Sequence, residues 1–439
     1  MQTIEAAKRI IRTEQFREKL LNIYQESARI PKEEARYLQA LDSFHSLFGD
    51  LPVEIYSAPG RTEIGGNHTD HQHGQVLAAS INDDAIAVAA MAETSLIRVK
   101  SEGYPEISLT LPKDPSALAP LSEEEGTTAG LIRGVVAGLA SRGYRVGGFS
   151  AYITSEVLGG SGLSSSAAFE TLIGTILNGL YNDMACDAVT IAKIGQYAEN
   201  VYFGKPCGLM DQMACSVGSL CHMDFEDPEN PKLERIDFDL TEAGYSLCIT
   251  DTKGSHADLT EDYAAVPTEM KAVAAHFGKA VLREVSEPEL QQAIPALREK
   301  LGDRPVLRAL HFYNENRRVV AESTALRTGD IRSFLRAVRA SGDSSFKFLQ
   351  NVYTTHDIRH QNMSVALAVS ESVLGLSSGD ISLLDTGVVR VHGGGFAGTI
   401  QAFVPKEKTD KYRGAMEALF GEGACMVLKI RKYGGIRVI

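Results

Sequence analysis

The sequence predicts a mixed α+β protein built from two domains, on three observations. The chain has 439 residues, more than one ordinary hydrophobic core serves, so two domains are expected. Strand-like and helix-like runs occur in both halves, which argues against an all-helical or an all-sheet layering. Between the halves, Glu226-Asp-Pro-Glu-Asn-Pro-Lys232 is charged and turn-rich, the composition of a connector. It sets the expected domains at 51–225 and 226–439, with residues 1–50 as a helical extension packed on the first.

In that extension Ile10, Ile11, Phe16, Leu20, Leu21 and Ile23 recur at near-helical spacing between charges. Strand-like runs follow at 53–57, 85–91 and 96–100. Residues 128–141 read as a helix stopped by Gly143, a helix-ending residue. Residues 150–157 alternate as a strand and enter a loop of small residues, which opens an apolar helix to about residue 181. A further helix, 188–203, ends at Gly204-Lys-Pro206. The second half reads as mostly helical over 269–374. It closes with strand 387–391, a glycine loop, strand 399–404, a helix near 410–419 and a strand near 426–431. No internal repeat is visible.

Composition narrows the function. Hydrophobic residues at 44% and charged residues at 23% are ordinary globular usage. No apolar run approaches a membrane span, and no basic-then-apolar leader opens the chain, so a soluble, cytoplasmic protein is expected. A net charge of −12 argues against nucleic acid or an anionic membrane as partner, since both require a basic face. It leaves room for a nucleotide, which a few local donors can hold. The six cysteines include no CxxC pair, so free thiols are expected in place of a zinc site.

Three glycine-bearing segments carry the chemistry. Gly159-Gly-Ser-Gly-Leu-Ser-Ser-Ser-Ala-Ala168 lies between a strand and a helix, where glycines admit a phosphate to the backbone and the helix start presents free N–H groups. Ser164, Ser165 and Ser166 add hydroxyls, one of which can ligate magnesium. No Gly-Lys-Ser/Thr follows, so this is not a Walker loop. The alternative is tight helix–strand packing. The second segment, Ala58-Pro-Gly-Arg-Thr-Glu-Ile-Gly-Gly-Asn-His-Thr-Asp70 with His71-Gln-His-Gly74, gathers a cation, carboxylates, an amide and histidines in a short glycine-punctuated loop. Such a set can bind the hydroxyls of a polyol. His68, His71 and His73 are also a weak metal pattern, and a polar surface turn is the plain alternative. The third, His392-Gly-Gly-Gly-Phe-Ala-Gly398, is a tight hairpin or a loop supporting the other two.

In this order and spacing the segments resemble the GHMP small-molecule kinases, and the galactokinases in particular. The second resembles the galactokinase signature Gly-Arg-Val-Asn-Leu-Ile-Gly-Glu-His-Thr-Asp-Tyr. The first matches the Gly-Leu-Ser-Ser-Ser-Ala-Ala phosphate loop, and the third resembles Gly-Gly-Gly-Phe-Gly-Gly. Pro206-Cys-Gly-Leu-Met-Asp-Gln212 is similar to the family's Pro-Cys-Gly-Ile-Met-Asp-Gln. The matches run from residue 51 to about 405. The resemblance implies a two-domain GHMP kinase fold, with a ribosomal-protein-like α/β domain, a C-terminal α+β domain and an active site in the cleft between them. It implies ATP-dependent phosphorylation of a sugar's anomeric hydroxyl. Asp211 falls on the catalytic aspartate and Arg61 on the arginine beside it and the moving phosphate. Ser166 and Glu199 fall on the Mg2+ ligands. Gly160, Ser161, Gly162, Leu163, Ser164, Ser165 and Ser166 would hold the ATP phosphates. Asn67, His68, Asp70, Gly208 and Tyr263 match sugar-contacting positions. A monomer or weak homodimer is expected.

The chain also departs from the pattern. Asn67 stands where galactokinases carry Glu, at a position that contacts the sugar's distal hydroxyls. His71-Gln72 replaces Tyr-Asn, the phosphate loop lacks its preceding proline, and Ala397 replaces a glycine. A neutral residue 67 with nearby histidines suits a carboxylate at C6 of the sugar, and the stretch through Ile81-Asn82 is similar to the galacturonokinases. Galactose, galacturonate or a related uronic acid, and another hexose or amino sugar therefore all stand as acceptors. A sugar sensor that binds without turnover is the alternative class; the presence of Arg61, Ser166, Glu199 and Asp211 argues for catalysis.

Overall fold

The computed structural model describes residues 1–157, 159, 162–254, 259–380 and 386–439. Helices α1 (Ile4–Ile11), α2 (Glu14–Tyr24) and α3 (Ile30–Phe48) precede the first strands. The hydroxyls of Thr3 and Thr13 cap the first two helices, and Pro31 starts the third, the residue types that satisfy or dispense with free helix-start N–H groups. Next come β1 (Glu54–Gly65), β2 (Gln75–Met91), β3 (Leu96–Ser101), β4 (Glu106–Thr110), α4 (Thr128–Ser141) and β5 (Phe149–Ser155). Helices α5 (Ser165–Asn182), α6 (Ala188–Tyr197) and α7 (Met210–Val217) are followed by β6 (Leu220–Asp224) and β7 (Lys232–Ile236). The second half holds β8 (Tyr245–Asp251), α8 (Thr260–His276), α9 (Glu287–Leu301), α10 (Asp303–Arg327), α11 (Ile331–Ser344) and α12 (Asn362–Leu374). It ends with β9 (Val388–His392), β10 (Thr399–Pro405), α13 (Thr409–Phe420), β11 (Cys425–Leu428) and β12 (Ile436–Arg437).

Two sheets organise these elements. The first has eight strands in the order β12-β1-β2-β5-β3-β4, with β6 pairing the start of β2 and β7 pairing β6; the second has the order β11-β8-β10-β9. Strand alternation sends the two faces of β1 to different layers. Ile55, with Ile86 and Val88 of β2, packs on the N-terminal helices through Phe16, Leu20 and Phe44. Tyr56 and Ala58 pack on α4, α5 and α6 through Ile132, Leu172 and Ile191. The extension is therefore one outer layer of the sheet. It is pinned by buried Asp84, which pairs with Arg36 at 2.7 Å and Arg431 at 2.9 Å and accepts the hydroxyl of Tyr24 at 3.0 Å.

Two sequence expectations need correction. Residues 58–65 are strand: β1 continues through the signature to Gly65, paired to β2 with register shifts at Pro59/Arg61 and Glu63/Gly65. Only the following turn, through Gly74, is loop. The turn-rich 226–232 is the connection of the β6–β7 hairpin within the first sheet, so the chain passes to the second sheet after Ile236. Strand β12 returns to the first sheet beside β1. Strands β4, β6, β7 and β8, and the first half of β2, are additional to the strands that the sequence predicts. All six cysteines are free, and all but Cys207 are buried. Among the described residues no helix is long and apolar enough to cross a membrane.

Candidate active site

Strand β1, the start of α5 and the start of α7 converge on one ion pair. Arg61, buried in β1, gives Nε to Asp211 Oδ1 at 2.6 Å and Nη2 to Oδ2 at 2.9 Å. Its remaining Nη1 donates to the carbonyl of Gly162, which fixes the guanidinium plane against the phosphate loop. Asp211, in the first turn of α7, also accepts the hydroxyl of Ser164. Burial alone would raise the Asp211 carboxyl, but the Arg61 charge, its hydrogen bonds and that of Ser164 outweigh it and hold it below the usual range. Asp211 is thus an ionised acceptor at neutral pH, and a weak base.

The loop before α5 has the backbone an anion requires. Ser164 adopts a left-handed conformation at φ 58° and makes no capping bond of its own. The first N–H groups of an 18-residue helix are therefore left for an incoming oxyanion. Gly162 has φ +71° and lies so close to β10 that a Cβ there would stand 2.4 Å from Thr399 Oγ1; both facts demand glycine. Leu163 is buried beneath the loop, while Ser165 and Ser166 keep part of their surface. Gly160 and Ser161 lie outside the described residues.

In the first turn of α5, Ser166 Oγ donates to Glu199 Oε1 at 3.0 Å. Glu199 sits in a π-helical turn, Ala198–Phe203, that extends α6, an irregularity common at functional sites. Lys205 Nζ lies 3.0 Å from the same Oε1, and Gln212 Nε2 donates to Oε2 at 2.7 Å and to Glu170 Oε2 at 3.1 Å. Burial, then the charge of Glu199, pushes the Glu170 carboxyl well up, and its Oε1 has no partner. A hydroxyl and a carboxylate beside a phosphate loop fit a hard, oxygen-loving cation that takes its remaining ligands from phosphate and water. Lys205, Gln212 and Glu170 were not singled out from the sequence, although Gln212 lies inside a matched motif.

The turn after β1 supplies the other side of the cleft. Asp70 lies against Gly208, where a Cβ would come within 1.7 Å of Asp70 Oδ2. Burial, then the nearby Asp211 charge, raises the Asp70 carboxyl to about 6. His68, at φ 58°, places Nε2 3.0 Å from the carbonyl of Gly394. A carbonyl only accepts, so Nε2 carries the hydrogen, and Nδ1 accepts from His71 Nε2 at 3.3 Å. Burial lowers the His68 pKa to about 4; His68 spends its nitrogens on His71 and the hairpin, and His71 on His68 and on Gln72 Nε2 at 3.3 Å. Among the described residues no group of three or more His, Cys, Asp or Glu is arranged for a metal. Tyr263 of α8 donates to the carbonyl of Gly395 at 2.7 Å. The glycine loop is therefore a β9–β10 hairpin whose carbonyls are taken by the side chains of Asn67, His68 and Tyr263. His68, Asp70, Gly208 and Tyr263 keep partial exposure; Asn67 is fully buried.

This fold and site define a GHMP small-molecule kinase, a class that uses ATP as phosphoryl donor. The GHMP kinase N-terminal domain matches residues 130–219, and the galactokinase galactose-binding signature matches residues 42–91. Galactokinase of Streptomyces coelicolor is 30% identical over 381 residues, covering 86% of this chain and 92% of that protein. The crystal structure of Lactococcus lactis galactokinase complexed with galactose is 24% identical with a TM-score of 0.75, covering 91% of this chain and 99% of the other. Mevalonate kinase of Methanococcus jannaschii shares the fold more distantly, with a TM-score of 0.58 at 14% identity over 86% of this chain and 98% of that one. The chain belongs to the galactokinase family, and it is a sugar kinase.

Proposed function

We propose that the protein transfers the γ-phosphoryl group of ATP to the anomeric hydroxyl of galactose, giving galactose 1-phosphate. The observation that carries this reading is the Arg61–Asp211 pair held at the mouth of the phosphate loop, with Asp70 and Gly208 beside it. The galactose-binding signature covers β1, β2 and the turn between them, which supports galactose as acceptor. Phosphoryl transfer depends mainly on alignment and charge neutralisation. Asp211, ionised and fixed by two bonds from Arg61 and one from Ser164, accepts the sugar hydroxyl and orients its oxygen toward the phosphorus. Its lowered pKa suits late acceptance of the proton, as the bond to phosphorus forms. Arg61 offsets charge between Asp211 and the transferring group. The free N–H groups at the start of α5 hold the phosphate oxygens.

Ser166 and Glu199 are the residues that would hold magnesium, which neutralises phosphate charge when bound. Lys205 is a second cation at the same edge of the cleft.

The uronic-acid alternative drew on Asn67, the nearby histidines and the stretch through Asn82; Asn67 is buried with its amide bonded to protein groups, so that one support falls away. The sensor alternative gains no support, since Arg61 is paired with Asp211 and Ser166 with Glu199, all four side chains that catalysis needs. The test is ADP release with MgATP across galactose, galacturonate, N-acetylgalactosamine, arabinose and glucose. Galactose is expected to exceed every other sugar in kcat/KM by at least about tenfold, since each lost or misplaced polar contact in a closed site costs about that much. Preferred turnover of galacturonate refutes the assignment.

A further inference from the structure

The geometry points to Asn67 as a positioning residue that clasps the sugar-binding turn to the glycine hairpin and to the segment after α11, and not as a ligand of the sugar. The inference rests on the sugar-kinase reading of the pocket.

Asn67 has 0% exposure. Its Nδ2 donates to the carbonyl of Gly393 at 2.7 Å and to Glu63 Oε1 at 3.1 Å. The Gly393 carbonyl can only accept, which fixes the orientation of the amide. Its Oδ1 accepts from Asn351 Nδ2 at 2.9 Å and Ser345 Oγ at 3.3 Å. Two donors and two lone pairs are thereby used, and the side chain has nothing left for a substrate.

The partners come from distant parts of the chain. Glu63 lies in β1 of the first sheet and is paired at 2.6 Å with Arg390 of β9 in the second. The hairpin after β9 offers three successive carbonyls, each taken by a different side chain: Gly393 by Asn67, Gly394 by His68 and Gly395 by Tyr263. Asn67 thus sets the hairpin on which the two pocket rings hang. The identity of residue 67 also follows. Glu315 Oε1 already accepts the N–H of Gly66 at 3.1 Å, so a carboxylate at 67 would join Glu63 and Glu315 in one buried space. The galactokinase signature has Asn and Glu at positions 63 and 67. This chain has Glu63 and Asn67, the same pair exchanged.

The experiment compares the full-length protein with Asn67→Ala, Asn351→Ala and the double variant, on galactose and its 2-, 4- and 6-deoxy analogues. Positioning predicts that N67A raises the sugar KM roughly tenfold, as expected for loss of buried hydrogen bonds, and leaves the KM for ATP within about twofold. The factor should be the same for every deoxy sugar, because no single hydroxyl is involved, and the double variant should be little worse than N67A. A penalty that vanishes for one deoxy sugar identifies Asn67 as a ligand and overturns the proposal, as does an unchanged sugar KM. If N67A does not fold, N351A removes the same clasp from the other side and must show the same signature. A wild-type protein that phosphorylates none of these sugars refutes the underlying function, a result distinct from either.

Discussion

Gly208→Ala tests whether Asp70 lies in the sugar pocket. A Cβ at 208 would stand 1.7 Å from Asp70 Oδ2 and 2.3 Å from its Cγ, so the carboxylate must withdraw by at least 1.3 Å to restore even a 3.0 Å separation. Misplacing a substrate-positioning group by about 1 Å costs roughly 10²-fold, or about 2.7 kcal/mol of transition-state stabilisation. The expected result is a fall of about a hundredfold in kcat/KM for galactose, carried by the sugar side, with the KM for ATP unchanged. In an Asp70→Ala background the clash has no target, and adding G208A should cost less than about fivefold, the non-additivity of two changes acting through one group. Gly414→Ala is the control: that position has open space around it, and the substitution should stabilise its helix by about 0.5–1 kcal/mol without touching catalysis. Wild-type sugar kinetics in G208A would refute the reasoning, and so would an undiminished penalty in the absence of Asp70.

Two further outcomes follow from the same site. Glu199→Gln keeps the shape but removes the charge beside Ser166, so the magnesium concentration for half-maximal rate should rise at least about tenfold; an unchanged magnesium dependence contradicts the assignment. Asp70 carries its proton to about pH 6 in the folded state against 3.8 ordinarily. A raised carboxyl pKa means that the folded state holds more protons than the unfolded one across that window, so its stability falls as pH rises from about 4 to 6. Melting curves should therefore show Asp70→Asn gaining on the wild type over that interval and holding its advantage above it; a gap that is flat from pH 4 to 8 contradicts the burial of Asp70.

Local signals in the sequence translated well where one segment settles its own conformation. Helix α4 runs over Thr128–Ser141 as read, because Thr127 caps its start and Gly143 follows its end. The serine loop opens α5 at Ser165. Strand β1 was cut short because Pro59 and Gly60 read as a turn, whereas β2 pairs through them with a register shift. The proline-rich 226–232 was mistaken for a boundary for the same reason: a hairpin turn and an interdomain linker have the same composition. In the site, Arg61, Asp211, Ser166 and Glu199 were legible as motif positions. The burial of Asn67 was not, since its partners at 345, 351 and 393 are set by the packing of the second half. Lys205 is placed by the turn that ends the π-helix, where its N–H bonds the Glu199 carbonyl at 3.1 Å, and composition alone does not show such a turn.

The central claim is that Asp211, held ionised by Arg61, receives the sugar hydroxyl, and Asp211→Asn tests it most directly. The variant keeps one acceptor for Arg61, removes the charge, and sets an amide NH2 where the second carboxylate oxygen accepted. Single-turnover formation of galactose 1-phosphate should fall by about 10²–10⁴-fold, with galactose affinity close to that of the wild type and a lower melting temperature, because buried Arg61 loses its charged partner. A variant that folds, binds galactose and retains more than about a tenth of the wild-type rate would contradict the account.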